Sequence, residues 1–378
     1  MTQTDASLSE WQEFFNDRVK RPGSLVSGYL SYVSRMQSLG VPPLFELRHI
    51  SKILAIDEAL LVGMINRTNQ FYRDFEIPKR RGGFRSISVP SPTLLYVQRW
   101  IASEVLSKQE VHDAAHGFVK GRSVVSNANV HKDSRSILKM DITDFFPSVQ
   151  LKRVIKVFLS LGYPVSVSFF LASLCCYKKV LPQGAATSPA LSNLIAGRLD
   201  KSLATYAHGR GLHYSRYADD LVFSGEKIEK VDITRIGFLI NRYDFKVNEK
   251  KTRILLENRK RIITGISVSD GKLGLPRKTR RDIQSQVHRL VKFGFSEFSD
   301  HSGGYDPLIY ERVLGRLGFW LQVDPENSTA QKLQSVMQAE IQKNEIRYAS
   351  QFKALPSLDE FAGGDSRSNN LGGTTQTD

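Results

Sequence analysis

His213-Tyr214-Ser215-Arg216-Tyr217-Ala218-Asp219-Asp220-Leu221-Val222-Phe223-Ser224 reads as two β-strands closed by a short turn that carries two adjacent aspartates. Aromatic and β-branched residues fill both arms, as strands prefer. The turn pushes both carboxylates out of the sheet together. Like charges so close repel and raise each other's pKa unless a divalent cation neutralises them. Taken alone, the pair also reads as a solvated acidic turn, so the segments around it must decide.

The chain has 378 residues, 41% of them hydrophobic, and a formal net charge of +15. That length predicts two or three packed domains, and that charge predicts a polyanionic partner or an anionic membrane surface. The longest apolar run, Val165 to Tyr177, is too short to span a bilayer, and the amino terminus, with Asp5, Glu10 and Glu13, lacks a signal-peptide pattern. No membrane association is expected. Cys175 and Cys176 are the two cysteines of the chain. Adjacent and within an apolar run, they suit neither a disulfide nor a zinc site, and they fit a reducing cytoplasm as buried helix residues.

Residues 1–75 read as a helical extension, with apolar spacing at Trp11-Phe14-Phe15 and Leu60-Leu61-Met64-Ile65 and breaks at Pro22-Gly23 and Pro42-Pro43. Residues 76–270 read as a mixed α/β body whose strands begin at Ile77. It holds a buried strand over Ser136 to Met140, a helix over Val154 to Leu161 and another over Ser188 to Leu203, with Ser188 as N-cap and Pro189 at the first helical position. Residues 271–355 read as basic helices, with Ile283, Val287 and Leu290 on one face. Between Lys250 and Lys292 stand thirteen Lys or Arg residues against Glu257, Asp270 and Asp282, either a solvated face or a surface that tracks phosphates. Residues 356–378 read as a disordered tail.

A second acidic segment, Ile137-Leu138-Lys139-Met140-Asp141-Ile142-Thr143-Asp144-Phe145-Phe146-Pro147, precedes the hairpin. Asp141 falls where the buried strand ends; alone it reads equally as a helix N-cap. Together, three carboxylates at strand ends suit a pair of Mg²⁺ ions roughly 3.5–4 Å apart, the arrangement used for nucleotidyl transfer.

These two segments resemble motifs A and C of the reverse transcriptases. Leu181-Pro182-Gln183-Gly184-Ala185-Ala186-Thr187-Ser188-Pro189 resembles motif B, Lys79 and Arg85 the triphosphate-gripping residues of the fingers, and Asn248-Glu249-Lys250-Lys251-Thr252 motif D. Asn127-Ala128-Asn129-Val130-His131 (N-A-x-x-H) and Ile263-Thr264-Gly265 (for V-T-G) are similar to marks of the retron branch. The resemblance covers roughly residues 45 to 300.

It implies an α+β right-hand polymerase: the 1–75 extension, fingers and palm over 76–270, a basic helical thumb over 271–355, and the tail. It implies an RNA-directed DNA polymerase using two Mg²⁺ ions and deoxynucleoside triphosphates. Asp141, Asp219 and Asp220 would be catalytic and would bind metal, with the Ile142 carbonyl as a further ligand. Lys79, Arg85, Asp144, Gln183 and Ala218 would contact the nucleotide, Phe146 would exclude a ribose 2′-OH, and Lys251 would protonate the leaving pyrophosphate. Asn127, His131, Arg277, Lys278, Arg280 and Arg281 are expected to bind RNA. Retron resemblance further implies a structured non-coding RNA as template and primer, synthesis from an internal guanosine 2′-OH, an RNA–DNA hybrid product, antiphage defence and an accessory effector protein. With no RNase H-like acidic cluster after the thumb, a separate RNase H is expected. Rival readings are another bacterial reverse transcriptase, for which the short tail disfavours the group II intron type, and an inactive nucleic-acid-binding scaffold.

Overall fold

A computed structural model describes residues 6–18, 23–79, 82–257, 260–269, 271–302, 306 and 308–353; the tail expected over 356–378 lies outside them. The chain divides into two compact units, one ending at Leu273 and the other beginning at Gly274.

The first unit opens with α1 (Leu8–Glu13), started by a capping box in which Ser7 and Glu10 satisfy each other's backbone N–H groups. A π-helical turn over Phe14–Arg18 leads to α2 (Gly23–Ser38), α3 (Leu47–Leu54) and α4 (Glu58–Asn66). Trp11, Phe15, Val26 and Val33 bury one another in a small cluster, where Trp11 stacks on Phe15 at 5.6 Å. Most buried hydrophobic residues between Met36 and Phe245 belong to one continuous core.

β1 (Tyr72–Pro78) and β2 (Phe84–Pro90) form an antiparallel hairpin. Strand structure therefore starts before Ile77: Tyr72 is drawn inward, stacked on Tyr177 at 4.4 Å and hydrogen-bonded to Gln98 Nε2 at 2.7 Å. After α5 (Pro92–Trp100) and α6 (Val124–Asn129) comes β3 (Ser136–Asp141), nearly all buried. Then follow α7 (Leu151–Ser160), α8 (Val165–Cys175) and the long α9 (Ser188–Gly209). β4 (His213–Tyr217), β5 (Asp220–Gly225), α10 (Lys230–Arg242) and β6 (Arg253–Leu256) complete a four-stranded antiparallel sheet of order β4-β5-β3-β6. A small hairpin, β7 (Ile262–Ile263) and β8 (Ile266–Ser269), follows.

Two local expectations are corrected. The N-cap of α9 is Thr187, already in helical geometry, with Ser188 as the first helical residue; the Ser188 hydroxyl donates to the Pro182 carbonyl at 2.8 Å instead of capping. Cys175 ends α8, but Cys176 has left the helix in an extended conformation. Both thiols are buried, and burial pushes Cys175 up to about 12 and Cys176 higher still.

In the second unit, α11 (Arg277–Ser302, kinked at Gly294), α12 (Ile309–Val323) and α13 (Ser328–Lys353) pack on one another. Ile283, Val287 and Leu290 face inward, buried along with Val313, Leu317 and Trp320. No described helix is long and apolar enough to cross a membrane.

Candidate active site

Asp141 is the last residue of β3 and stands directly opposite Asp220, the first residue of β5. It closes a strand and caps no helix. Tyr217 pairs with Asp220, which leaves Ala218 and Asp219 as a two-residue turn. Ala218 is held at φ +56°, a left-handed conformation that costs a non-glycine residue about 1–2 kcal/mol. Backbone bonds fix this turn against the end of β3: Ile142 N–H donates to the Asp219 carbonyl at 2.9 Å, and Asn248 N–H to the Asp141 carbonyl at 2.8 Å. Asp141 is thus brought to the same sheet edge as the adjacent Asp219 and Asp220, 78 and 79 residues further along the chain.

Their electrostatics follow from that placement. Burial, then the charges of Asp141 and Asp220, push the Asp219 carboxyl up to about 6. Asp220 is also raised, chiefly by burial, with Lys139 acting against it. Lys251 donates to Asp141 Oδ2 at 2.7 Å, and Asn248 Nδ2 to Oδ1 at 3.2 Å. Burial works against the Lys251 ammonium, but its bond to Asp141 more than offsets this and raises its pKa. Among the described residues no group of three or more His, Cys, Asp or Glu is gathered to hold a metal ion; Lys251 already occupies one oxygen of Asp141. The donor set nevertheless suits a hard divalent cation, being carboxylate oxygens.

Around this centre, the Gln183 carbonyl accepts from Ser88 N–H at 2.8 Å, which docks the Leu181-Pro182-Gln183-Gly184 loop on β2. Gly184 is needed there: it adopts φ +126°, and a Cβ would lie 2.5 Å from the Ser88 carbonyl oxygen. Lys79 and Arg85 are exposed near the tip of the β1–β2 hairpin. Phe146 is half-buried, with its ring 6.1 Å from Phe118, which in turn lies 6.5 Å from Tyr217; Phe145 belongs to the core. Asp144 is exposed at φ +45°.

The support beneath the turn was missed in the sequence. Arg216 and Asp200 are a fully buried ion pair, and Arg216 Nη1 also donates to Asn193 Oδ1 at 3.0 Å and to the Ala218 carbonyl at 3.2 Å. Both acceptor side chains come from α9, so that helix is tied to the acidic turn. Asn193 Nδ2 donates to the Gly117 carbonyl at 2.9 Å, and a Cβ on Gly117 would lie 2.7 Å from Ala218 N. The glycine of His116-Gly117-Phe118 was the sole trace of this contact in sequence.

Asn127 and His131 are corrected as RNA contacts. Both are fully buried and bonded to Ser215, Ser224 and Thr264 inside the unit. In the second unit Arg277, Lys278, Arg280 and Arg281 are exposed on α11, and Arg277, Arg280 and Arg281 line a cavity of about 220 Å³ with Trp320 and Asn327.

The family model of reverse transcriptase (RNA-dependent DNA polymerase) matches residues 77–308. The chain belongs to this family and is an RNA-directed DNA polymerase of α+β architecture. It is 35% identical over 297 residues to the retron Ec86 reverse transcriptase of Escherichia coli, a match covering 78% of this chain and 89% of that one. It is 38% identical over 243 residues to the retron Mx65 reverse transcriptase of Myxococcus xanthus, covering 58% and 56% of the two chains. Against the retron Mx162 reverse transcriptase of the same organism the values are 34% over 298 residues, 70% and 60%. The chain thus spans little more than half the length of the two Myxococcus proteins. Within the family its place is among the retron reverse transcriptases.

Proposed function

We propose that this polymerase copies a dedicated structured RNA into single-stranded DNA at the site formed by Asp141, Asp219 and Asp220. The observation that carries the reading is the convergence of these carboxylates at the paired ends of β3 and β5, with Asp219 raised to about 6 by burial and by its acidic neighbours. Asp141, Asp219 and Asp220, with the Ile142 carbonyl, would hold two Mg²⁺ ions. Bound there, the metal supplies activation of the attacking hydroxyl and neutralises the triphosphate.

The chain's own residues set the rest. Lys79 and Arg85 reach out from the β1–β2 hairpin to grip the triphosphate, for which the planar guanidinium is suited. Gln183, Ala218 and Asp144 contact the nucleotide. The Phe146 ring closes the space that a ribose 2′-OH needs, so Phe146→Val would admit ribonucleotides. Lys251, kept charged by Asp141, protonates the leaving pyrophosphate. The exposed Arg277, Lys278, Arg280 and Arg281 form a phosphate-tracking face for RNA on the thumb.

The retron relatives support the finer reading: a non-coding RNA that is both template and primer, synthesis from an internal 2′-OH, an RNA–DNA hybrid product, removal of template by a separate RNase H, and a role in antiphage defence beside an effector protein in the cytoplasm. Purified protein with an annealed RNA template should extend a primer in Mg²⁺, whereas Asp219→Ala with Asp220→Ala should not. Equal activity of the two would overturn the site. Sequencing of copurified nucleic acid should reveal a covalent RNA–DNA branch; linear DNA alone would overturn the priming reading.

A further inference from the structure

Asn127 and His131 are links in a buried chain of hydrogen bonds that begins at the Ile263-Thr264-Gly265 turn and ends beneath the acidic hairpin. One fixed end settles its direction. The Val124 carbonyl can only accept, so the Thr264 hydroxyl, 3.3 Å away, spends its hydrogen there. Thr264 Oγ1 then accepts from Asn127 Nδ2 at 3.5 Å, which turns Asn127 Oδ1 toward Ser215 Oγ at 2.7 Å. Ser215 donates to that oxygen and has no hydrogen left for His131, so it accepts from Nε2–H at 2.7 Å. In the neutral ring Nδ1 is therefore an acceptor, taking the Ser224 hydroxyl at 2.6 Å, while Ser224 accepts from Ser134 at 2.8 Å. The hydroxyls of Thr264, Ser215 and Ser224 each donate once and accept once, and Ser134 donates at the end, with no conflict along the chain. Burial independently favours the neutral ring, pushing the imidazole down to about 3.

The chain joins elements that the polymerase site needs in register. Ser215 is in β4 opposite Val222, and Ser224 is in β5 opposite His213, so the two serines are diagonal neighbours on one face of the hairpin. Such neighbours stand about 7–8 Å apart, a gap that a single imidazole bridges. At the far end, Thr264 and Gly265 have φ of +45° and +88°, the pattern of a type I′ turn. A β-branched residue rarely adopts that conformation. The two bonds of its hydroxyl are a physical reason for threonine there. Lys139 of β3 also donates to the Ile262 carbonyl at 3.3 Å, so the same small hairpin is tied to the strand that ends in Asp141.

We propose that Thr264, Asn127 and His131 are positioning residues for DNA synthesis, whose one-directional hydrogen-bond chain locks β4 and β5 together and presents the Ala218-Asp219 turn to Asp141 in a single position. Because every donor points the same way, each bond polarises the next, and loss of one link weakens the others. This inference rests on the reading of the hairpin as the catalytic one.

Two experiments test it. Nitrogen-15 histidine spectra of the full chain at neutral pH should show His131 as a neutral ring protonated on Nε2; protonation on Nδ1, or on both nitrogens, overturns the chain whatever the activity. Thr264→Val keeps the branched shape and removes the hydroxyl, whereas Thr264→Ser keeps the hydroxyl. In single-turnover primer extension, Thr264→Val should slow the burst by roughly tenfold with its amplitude and the nucleotide KM retained, and Thr264→Ser should match the parent. A Thr264→Val burst of unchanged rate, including one of reduced amplitude, shows a structural role alone and overturns the proposal. A parent protein without primer extension would instead overturn the polymerase site and leave the spectral test standing.

Discussion

Arg216 and Asp200 are joined by two hydrogen bonds, Nε to Oδ1 at 2.8 Å and Nη2 to Oδ2 at 2.6 Å, with neither side chain exposed to solvent. Tyr214 adds a third, its hydroxyl donating to Asp200 Oδ1 at 2.8 Å. Breaking a buried pair by removing one partner costs about 3–5 kcal/mol, because a charge is left buried without compensation. Asp200→Ala should therefore lower the unfolding free energy by about that amount. Replacing both partners, as in Arg216→Met with Asp200→Leu, should recover much of the stability and none of the synthesis rate, since the Ala218 carbonyl still lacks its donor. Denaturant unfolding beside primer extension separates the two effects; recovered synthesis in the double variant would refute the link to the turn.

Gly184 offers a second test, on the nucleotide side of the site. Alanine there would meet the Ser88 carbonyl oxygen at 2.5 Å in a backbone conformation that alanine rarely adopts. The loop must move away from β2, and Gln183 moves with it. Gly184→Ala should raise the nucleotide KM several-fold and cost of order 1–3 kcal/mol in stability. Unchanged steady-state constants would show that the loop docks elsewhere during synthesis.

The raised Asp219 carboxyl makes stability depend on pH. A carboxyl at about 6 rather than 3.8 holds its proton more tightly in the folded protein than in the unfolded chain. Stability is therefore lost as pH rises from about 4 to about 6, and the penalty is complete above that window. Asp219→Asn should be more stable than the parent at neutral pH without divalent cations, by up to about 3 kcal/mol. The advantage should vanish below about pH 4. Chemical unfolding in a chelator at several pH values checks this, and a pH-independent difference would contradict it.

Lys251 donates to an oxygen of Asp141 that a divalent cation bound as proposed would also need. Lys251→Met should let Mg²⁺ stabilise the protein at lower concentration in thermal melts. At the same time, if Lys251 is the proton donor proposed above, its loss should slow catalysis by about a hundredfold or more. A variant with weaker Mg²⁺ stabilisation would show that Lys251 helps assemble the metal site instead of guarding it.

The strand ends that carry Asp141 and the Asp219-Asp220 pair were legible in sequence, but each acidic segment alone had a plainer reading, and only the motifs around them, read together, pointed to a shared site; the pairing of β3 with β5 sets Asp141 opposite Asp220. The Arg216–Asp200 pair was not legible, since an arginine in a strand and an aspartate in a helix look like solvated residues until the fold closes over them. Asn127 and His131 were assigned to RNA through the N-A-x-x-H resemblance; a motif does not report burial, and the partners that satisfy both side chains come from three separate segments. Thr187 took the place of Ser188 for a smaller reason: Ser188 finds the Pro182 carbonyl and has no need to cap.

The antiparallel pairing of β3 with β5 and β6 also sets when the enzyme can come into being. Lys251 and Asp141 are 110 residues apart in sequence, and α7, α8 and α9 are made in between. Long-range strand pairing pays its loop-closure entropy before any contact repays it, and is slow for that reason. A chain emerging from the ribosome carries Asp141 long before its partners exist. The full β4-β5-β3-β6 sheet, and with it the Lys251–Asp141 pair, can close only after β6 (Arg253–Leu256) has been made.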